Sequence, residues 1–175
     1  MAVIFDCSSS MAMFRKPYTT TSSVSFAFPP PTAIAGLVAA IIGLDNGAAA
    51  NASSAGYWGE LSGTKVAVSL RRPIKWLRAA LNFWNIKNPQ STPHIQVKHQ
   101  FVAFPEYRVY VKGGVEKALR ERLERNSFVY TPFLGVAYAL AHIEYVGFCD
   151  DTPAGSEDFD VNSVIPWNDA MELDL

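Results

Sequence analysis

The sequence predicts an α+β fold of the ferredoxin-like, βαββαβ kind, and three observations lead there. Short segments with apolar residues at alternate positions flank two helical segments, one apolar all round and one striped. The 175 residues are 49% apolar, 13% aromatic and 18% charged, enough apolar side chains for one domain with a sizeable core and too many for a disordered chain. The longest apolar run, Ala33 to Leu44, is broken by Gly36 and Gly43 and falls well short of the roughly 20 residues that a membrane-spanning helix needs.

Each element follows from its residues. Ala2 to Phe5 is an apolar run ending in Asp6, the length of a buried strand. A polar stretch rich in Ser and Thr, Ser8 to Ser25, reads as a loop interrupted by Arg15 and Lys16. Pro29, Pro30 and Pro31 stop regular structure and fix φ for a helix from Thr32 to Leu44; being apolar on every face, that helix must be buried. Asp45 to Gly63, rich in Ala, Gly, Ser and Asn, reads as a loop or ragged helix end anchored by Tyr57 and Trp58. Lys65 to Leu70 alternates and is a strand. Arg71 to Pro93 lacks a clean period and reads as an excursion, and His94 to Phe101 alternates again, with Lys98 and His99 on opposite faces. Tyr107 to Lys112 is a strand with Arg108, Tyr110 and Lys112 on one face and Tyr107, Val109 and Val111 on the other. Gly113-Gly114 turns the chain into a helix striped by Val115, Leu119 and Leu123 that ends near Asn126, and His142 to Cys149 is the last strand. Two helices on one face of an antiparallel sheet leave the other face open to a ligand. Residues 1–150 form this domain, and 151–175 are an acidic, turn-rich C-terminal segment.

Charge is sorted along the chain. Residues 1–63 hold Arg15 and Lys16 against three acids, residues 64–125 hold 13 Lys and Arg against four Glu, and residues 126–175 hold nine acids and no Lys or Arg, giving −1, +9 and −9. A basic block of that density belongs to a solvated face or to a polyanion site. The histidines and cysteines show no metal-ligand spacing, neither GxxxxGK[ST] nor GxGxxG occurs, and no serine sits in a nucleophile elbow, so no metal, cofactor or hydrolase chemistry is expected. The chain shows no signal-peptide pattern, and Cys7 and Cys149 are too few and too far apart for a disulfide framework, so a cytoplasmic location with reduced thiols is expected.

What remains is basic side chains interleaved with aromatics. Arg71, Arg72, Lys75, Trp76, Arg78, Phe83, Trp84 and Lys87 fall within 17 positions. Cations neutralise phosphates and aromatic rings stack on unpaired bases, the combination that holds single-stranded RNA. Arg15 and Lys16 stand in a hydroxyl-rich loop before a proline-initiated helix, where a phosphate meets free N–H groups while Ser22, Ser23 and Thr32 offer hydroxyls to a base edge or a 2′-hydroxyl.

Three segments carry a family resemblance: Phe14-Arg15-Lys16-Pro17, Ser22-Ser23 and Phe28-Pro29-Pro30-Pro31-Thr32-Ala33-Ile34-Ala35-Gly36-Leu37; then Pro105-Glu106-Tyr107-Arg108-Val109-Tyr110-Val111; then Thr131-Pro132-Phe133-Leu134-Gly135 with Ile143-Glu144-Tyr145-Val146-Gly147. Together they resemble the fifth family of CRISPR-associated (Cas) proteins, the subunit at the crRNA five-prime end of type I Cascade, and PPPTAIAGL is most similar to the type I-B branch. The resemblance implies an RRM-like domain of RAMP type whose excursion between the second and third strands, about residues 71–104, is a thumb that hooks the repeat-derived five-prime handle. It implies a non-catalytic RNA-binding subunit, partnered with the backbone subunit (Cas family seven), the large subunit (Cas family eight) and, through the complex, target DNA. Relatives usually run longer, with a further β-rich part, so a short variant or an incomplete chain is expected. The RNA-binding set is then Arg15, Lys16, Ser22, Ser23, Thr32, Arg71, Arg72, Lys75, Trp76, Lys98, His99 and Arg108. The alternative is a metal-independent endoribonuclease, as in the type I-C branch, with Lys98, His99 and Tyr107 or Tyr110 as its acid, base and cation; neighbouring strand positions facing opposite ways count against it.

Overall fold

Alternation in the first strand, β1 (Ala2–Ser8), sets the layers: Val3, Phe5 and Cys7 are buried, while Ala2, Ile4, Asp6 and Ser8 turn to the other side. The computed structural model describes residues 1–19, 22–47, 55–87, 90–91, 93–150 and 163–164. After β1 come four two-residue strands, β2 (Met11–Ala12), β3 (Phe14–Arg15), β4 (Ser22–Ser23) and β5 (Ser25–Phe26), then α1 (Pro31–Ile42) and a short helix α2 (Tyr57–Glu60). Next are β6 (Lys65–Leu70), β7 (Trp76–Trp84), β8 (His94–Ala103), β9 (Glu106–Lys112), α3 (Glu116–Glu124) and β10 (His142–Cys149).

The main sheet has the order β10-β1-β9-β6 and is antiparallel throughout. Helix α1 lies between β1 and β6 in the chain and α3 between β9 and β10, a mixed α/β architecture of the class expected. The core joins Val3, Phe5 and Cys7 with Tyr107, Val109 and Val111, covered by Ile34, Leu37, Val38 and Ile41 of α1 and Leu119 and Leu123 of α3. Helix α1 starts at Pro31, whose missing N–H costs nothing in a first turn, one residue earlier than the sequence suggested. Strand β10 carries a bulge: Ile4 faces Gly147 and Phe5 faces Tyr145, leaving Val146 as the extra residue. The bulge lets Ile143, Tyr145 and Phe148 all stand opposite the core-facing residues Cys7, Phe5 and Val3.

Two readings of the sequence change. The Ser8–Ser25 stretch is not all loop: β2 and β4 add to one edge of β8, antiparallel at Val102 and Ala103 and parallel at Lys98 and His99, while β3 and β5 pair with each other. Two-residue strands are too short to show a period, so the sequence hides them. The Arg71–Pro93 stretch contains β7, which pairs with β8 from Trp76–Val102 to Trp84–His94 and makes a long hairpin between β6 and β9; residues 88, 89 and 92 lie outside the described residues. Residues 20–21 of the N-terminal loop, 48–54 of the Asp45–Gly63 stretch and all of the acidic C-terminal segment except Ser163 and Val164 also lie outside them. The Val164 N–H and the Ser163 hydroxyl both donate to the Val68 carbonyl of edge strand β6, at 3.1 and 2.9 Å. Among the described residues no helix is long and apolar enough to cross a membrane.

Burial of Cys7 makes stability depend on alkali. Desolvation, and after it the neighbouring Asp6 charge, push the thiol from its ordinary 9.0 up to about 12. Above pH 9 the unfolded chain releases a proton that the folded chain keeps, so stability falls as pH rises towards 12. At pH 10.5 Cys7 alone is expected to cost about 2 kcal/mol relative to pH 8, with the buried Tyr107 phenol, also pushed up, adding to it. Urea midpoints at the two pH values check this: Cys7→Ala should show a clearly smaller alkaline drop than the parent, and equal drops would contradict it.

Candidate nucleic-acid interface

Pairing across the β7–β8 hairpin sorts its side chains into two unlike faces, because residues directly opposite in an antiparallel pair share a face. One face carries Leu77, Ala79, Leu81 and Phe83 against Phe101, His99, Val97 and Ile95. The other carries Trp76, Arg78, Ala80, Asn82 and Trp84 against Val102, Gln100, Lys98, Gln96 and His94. The second face holds two cations on diagonal positions, several amides and, near the turn, Trp84 edge-on to His94 with centroids 4.8 Å apart. Trp84 is 61% exposed, so its ring is open to a stacking partner.

Where β4 lies along β8, a cleft of about 460 Å³ opens, lined by Ser22, Ser23, Arg78, Lys98, His99 and Gln100 among others. Ser22, Ser23, Lys98 and His99 of the expected set thus line one cleft with Arg78, but Ser23 is 5% exposed and pairs with His99, so Ser22 alone of the two shares a face with Lys98. Lys98 and His99 face opposite ways here, as alternation requires. The His99 ring is 7% exposed, stacks between Phe83 and Phe101 at 5.5 and 5.7 Å, and places Nδ1 3.0 Å from the Val97 carbonyl. It packs on the apolar face of the hairpin while Lys98 is exposed on the cationic one.

The other expected residues lie apart from the cleft. The Arg15 side chain donates to the Thr19 carbonyl at 2.8 Å, and the Lys16 ammonium sits over the Phe26 ring, 5.4 Å from its centroid. The Thr19 hydroxyl donates to the Lys16 carbonyl, so this hydroxyl closes a turn. Thr32 lies in the first turn of α1 and lines a separate cleft with Tyr57, Tyr130 and Phe133, so it does not join Ser22 and Ser23. Arg71, Arg72, Lys75 and Trp76 stand at the foot of the hairpin, with Arg72 bonded to Glu106 at 2.6 Å. Arg108 is on the open face of the main sheet, where Asp6 accepts two bonds from it at 2.8 Å each. Those bonds hold the guanidinium still more firmly protonated than usual and engage its fork of donors. Tyr107 is 1% exposed and donates its hydroxyl to the Ala27 carbonyl, so it is a core residue. Among the described residues no three His, Cys, Asp or Glu side chains stand together to hold a metal ion.

Sequence reasoning placed Arg78 and Trp84 in the basic block without assigning them to the site. Their shared face needs the β7–β8 register, which an aperiodic segment does not reveal.

Solved structures that share this fold include three of CRISPR-associated proteins or complexes. A chain described as a CRISPR RNA-guided surveillance complex superposes with a TM-score of 0.63 at 14% identity over 80% of this chain and 59% of that one. A CRISPR-associated protein matches at 0.51 and 13% identity, over 84% and 67% of the two chains, and a Cas protein at 0.51 and 14%, over 80% and 60%. At these identities the likeness is one of fold, and the chain spans about three-fifths of the length of the first. No curated protein matches it. The family described as CRISPR-associated protein (Cas_Cas5) has a model that matches residues 2–162, nearly the whole described domain, and the chain belongs to that family.

Proposed function

We propose that this chain is a non-catalytic subunit of a Cascade-type surveillance complex that binds and caps the five-prime handle of crRNA. The observation that carries the reading is the hairpin face on which Arg78 and Lys98 lie between Trp76 and Trp84, beside a cleft lined by Ser22, which pairs with Lys98. Charge for phosphates, rings for unpaired bases and hydroxyls for 2′-OH groups are what single-stranded RNA requires. The solved relative described as an RNA-guided surveillance complex supports a place in such an assembly. The backbone subunit (Cas family seven) and the large subunit (Cas family eight) are the partners in this reading, target DNA is met through the complex, and the PPPTAIAGL segment favours the type I-B branch.

The purified chain should bind a synthetic repeat-derived handle RNA more tightly than a scrambled RNA of the same composition and length. Equal affinity for the two would overturn the capping role.

The endoribonuclease reading is disfavoured by His99, stacked on one hairpin face while Lys98 points from the other, and by the buried Tyr107 hydroxyl. Repeat RNA incubated with the chain in EDTA should stay intact, and His99→Ala should leave crRNA maturation unchanged in cells that keep their processing nuclease. Cleavage lost in His99→Ala would replace the capping role with catalysis.

A further inference from the structure

Among the described residues only two besides glycine take a positive φ, Asn126 at 47° and Phe104 at 48°. Asparagine just beyond a helix end adopts this conformation readily. A phenylalanine does not, and Phe104 also precedes Pro105, a position biased to extended backbone. Neighbours on both sides hold it there. The Phe104 N–H donates to the Ser10 carbonyl at 2.9 Å and the Ser9 N–H to the Pro105 carbonyl at 3.3 Å. Across the chain, the Ala103 N–H donates to the Lys75 carbonyl at 2.8 Å and the Arg71 N–H to the Glu106 carbonyl at 2.9 Å. Phe104 thus sits at the foot of the hairpin, beside the connection 71–75.

The strain brings the fold little in return, since Phe104 is 64% exposed. A rigidly held aromatic residue in water, beside a connection carrying exposed Arg71 and Lys75, has the parts that an unpaired base and its phosphates need. We propose that Phe104 is a base-stacking residue: one unpaired base of the bound RNA lies on its ring at the foot of the hairpin, with Arg71 and Lys75 beside the flanking phosphates. This inference rests on the RNA-binding reading above.

The test uses a substitution whose effects on stability and binding have opposite signs. Glycine takes a φ of 48° without steric cost, so Phe104→Gly should keep or raise the melting temperature while weakening handle-RNA binding about tenfold or more. Phe104→Tyr should bind like the parent, and Phe104→Leu, apolar without a ring face, should bind like Phe104→Gly. Abasic substitutions walked along the RNA should find one position where the parent loses affinity and Phe104→Gly loses nothing further. If the parent fails to bind handle RNA, the RNA-binding reading falls and this inference with it. If the parent binds and Phe104→Gly binds equally well, stacking alone is overturned. Normal RNA binding with failed entry into the complex would make the ring a protein contact and overturn stacking as well.

Discussion

Gly135→Ala is expected to destabilise the domain by roughly 3 to 5 kcal/mol, seen as a fall in the urea midpoint with an unchanged slope. Gly135 has a φ of 85°, and a Cβ built on it would lie 2.1 Å from the Met13 carbonyl oxygen and 2.7 Å from its carbon. Both atoms are backbone and cannot swing aside as a side chain would. The left-handed conformation alone costs an alanine roughly 1–2 kcal/mol. The remainder comes from Leu134, which is 1% exposed and whose carbonyl accepts the Met13 N–H at 3.1 Å. Pushing residue 135 off Met13 strains that bond and draws Leu134 from the core, where full loss of a leucine side chain costs roughly 2–5 kcal/mol. The loop offers little slack: the Leu134 N–H donates to the Ala139 carbonyl at 2.8 Å and the Ala141 N–H to the Pro132 carbonyl at 3.0 Å. Gly114 is the control, with a φ of 101° and no atom within 4 Å of its hypothetical Cβ. Gly114→Ala should therefore lose only the conformational part, roughly 1–2 kcal/mol. Equal losses in the two variants would show that the approach to Met13 is not what requires glycine.

That close approach explains the glycine at position 135, and it also shows where reading the chain stops. Period and composition alone located α1, because a helix apolar on every face has to be buried, and they located β6, β9 and β10, because alternation marks a strand with one face in the core. Strand β7 was invisible for the opposite reason. It projects from the body, neither face is wholly buried, and apolar residues stand on both: Trp76, Ala80 and Trp84 on one, Leu77, Leu81 and Phe83 on the other. The binding chemistry was legible as composition, in the basic and aromatic block, but its geometry was not. Which cations share a face depends on the register of β7 with β8, and that Ser22 joins them while Ser23 is buried with His99 depends on a two-residue parallel pairing. Phe104 carried no signal at all, since a residue before proline is expected to be extended.

The largest effect on binding is expected from reversing the two cations of the hairpin face, Arg78→Glu together with Lys98→Glu. On single-stranded RNA each neutralised phosphate contributes about 0.7 to the slope of log affinity against log salt, a factor of about five at 0.1 M relative to 1 M. Losing two such contacts costs about 25-fold, and replacing attraction by repulsion of similar size brings the expected loss to roughly 10²–10³-fold at 0.1 M salt. The slope itself should flatten by about 1.4 from the two lost contacts and by up to about 2.8 once the repulsion is added. Arg78 and Lys98 are both exposed and stand opposite Gln100 and Ala80, so the reversal breaks no ion pair shown in the structure and should change stability by no more than about 0.5 kcal/mol. Arg108 supplies the contrast. Its guanidinium is spanned by Asp6 on the open face of the main sheet, so Arg108→Gln should leave the salt slope unchanged while lowering the melting temperature through the partner it abandons. Titrations of a fluorescent handle RNA between 50 and 400 mM salt separate the two variants. A steep slope retained in the hairpin variant and lost in Arg108→Gln would move the RNA from the hairpin to the sheet face, and the cleft at Ser22 and Ser23 would then lie off its path.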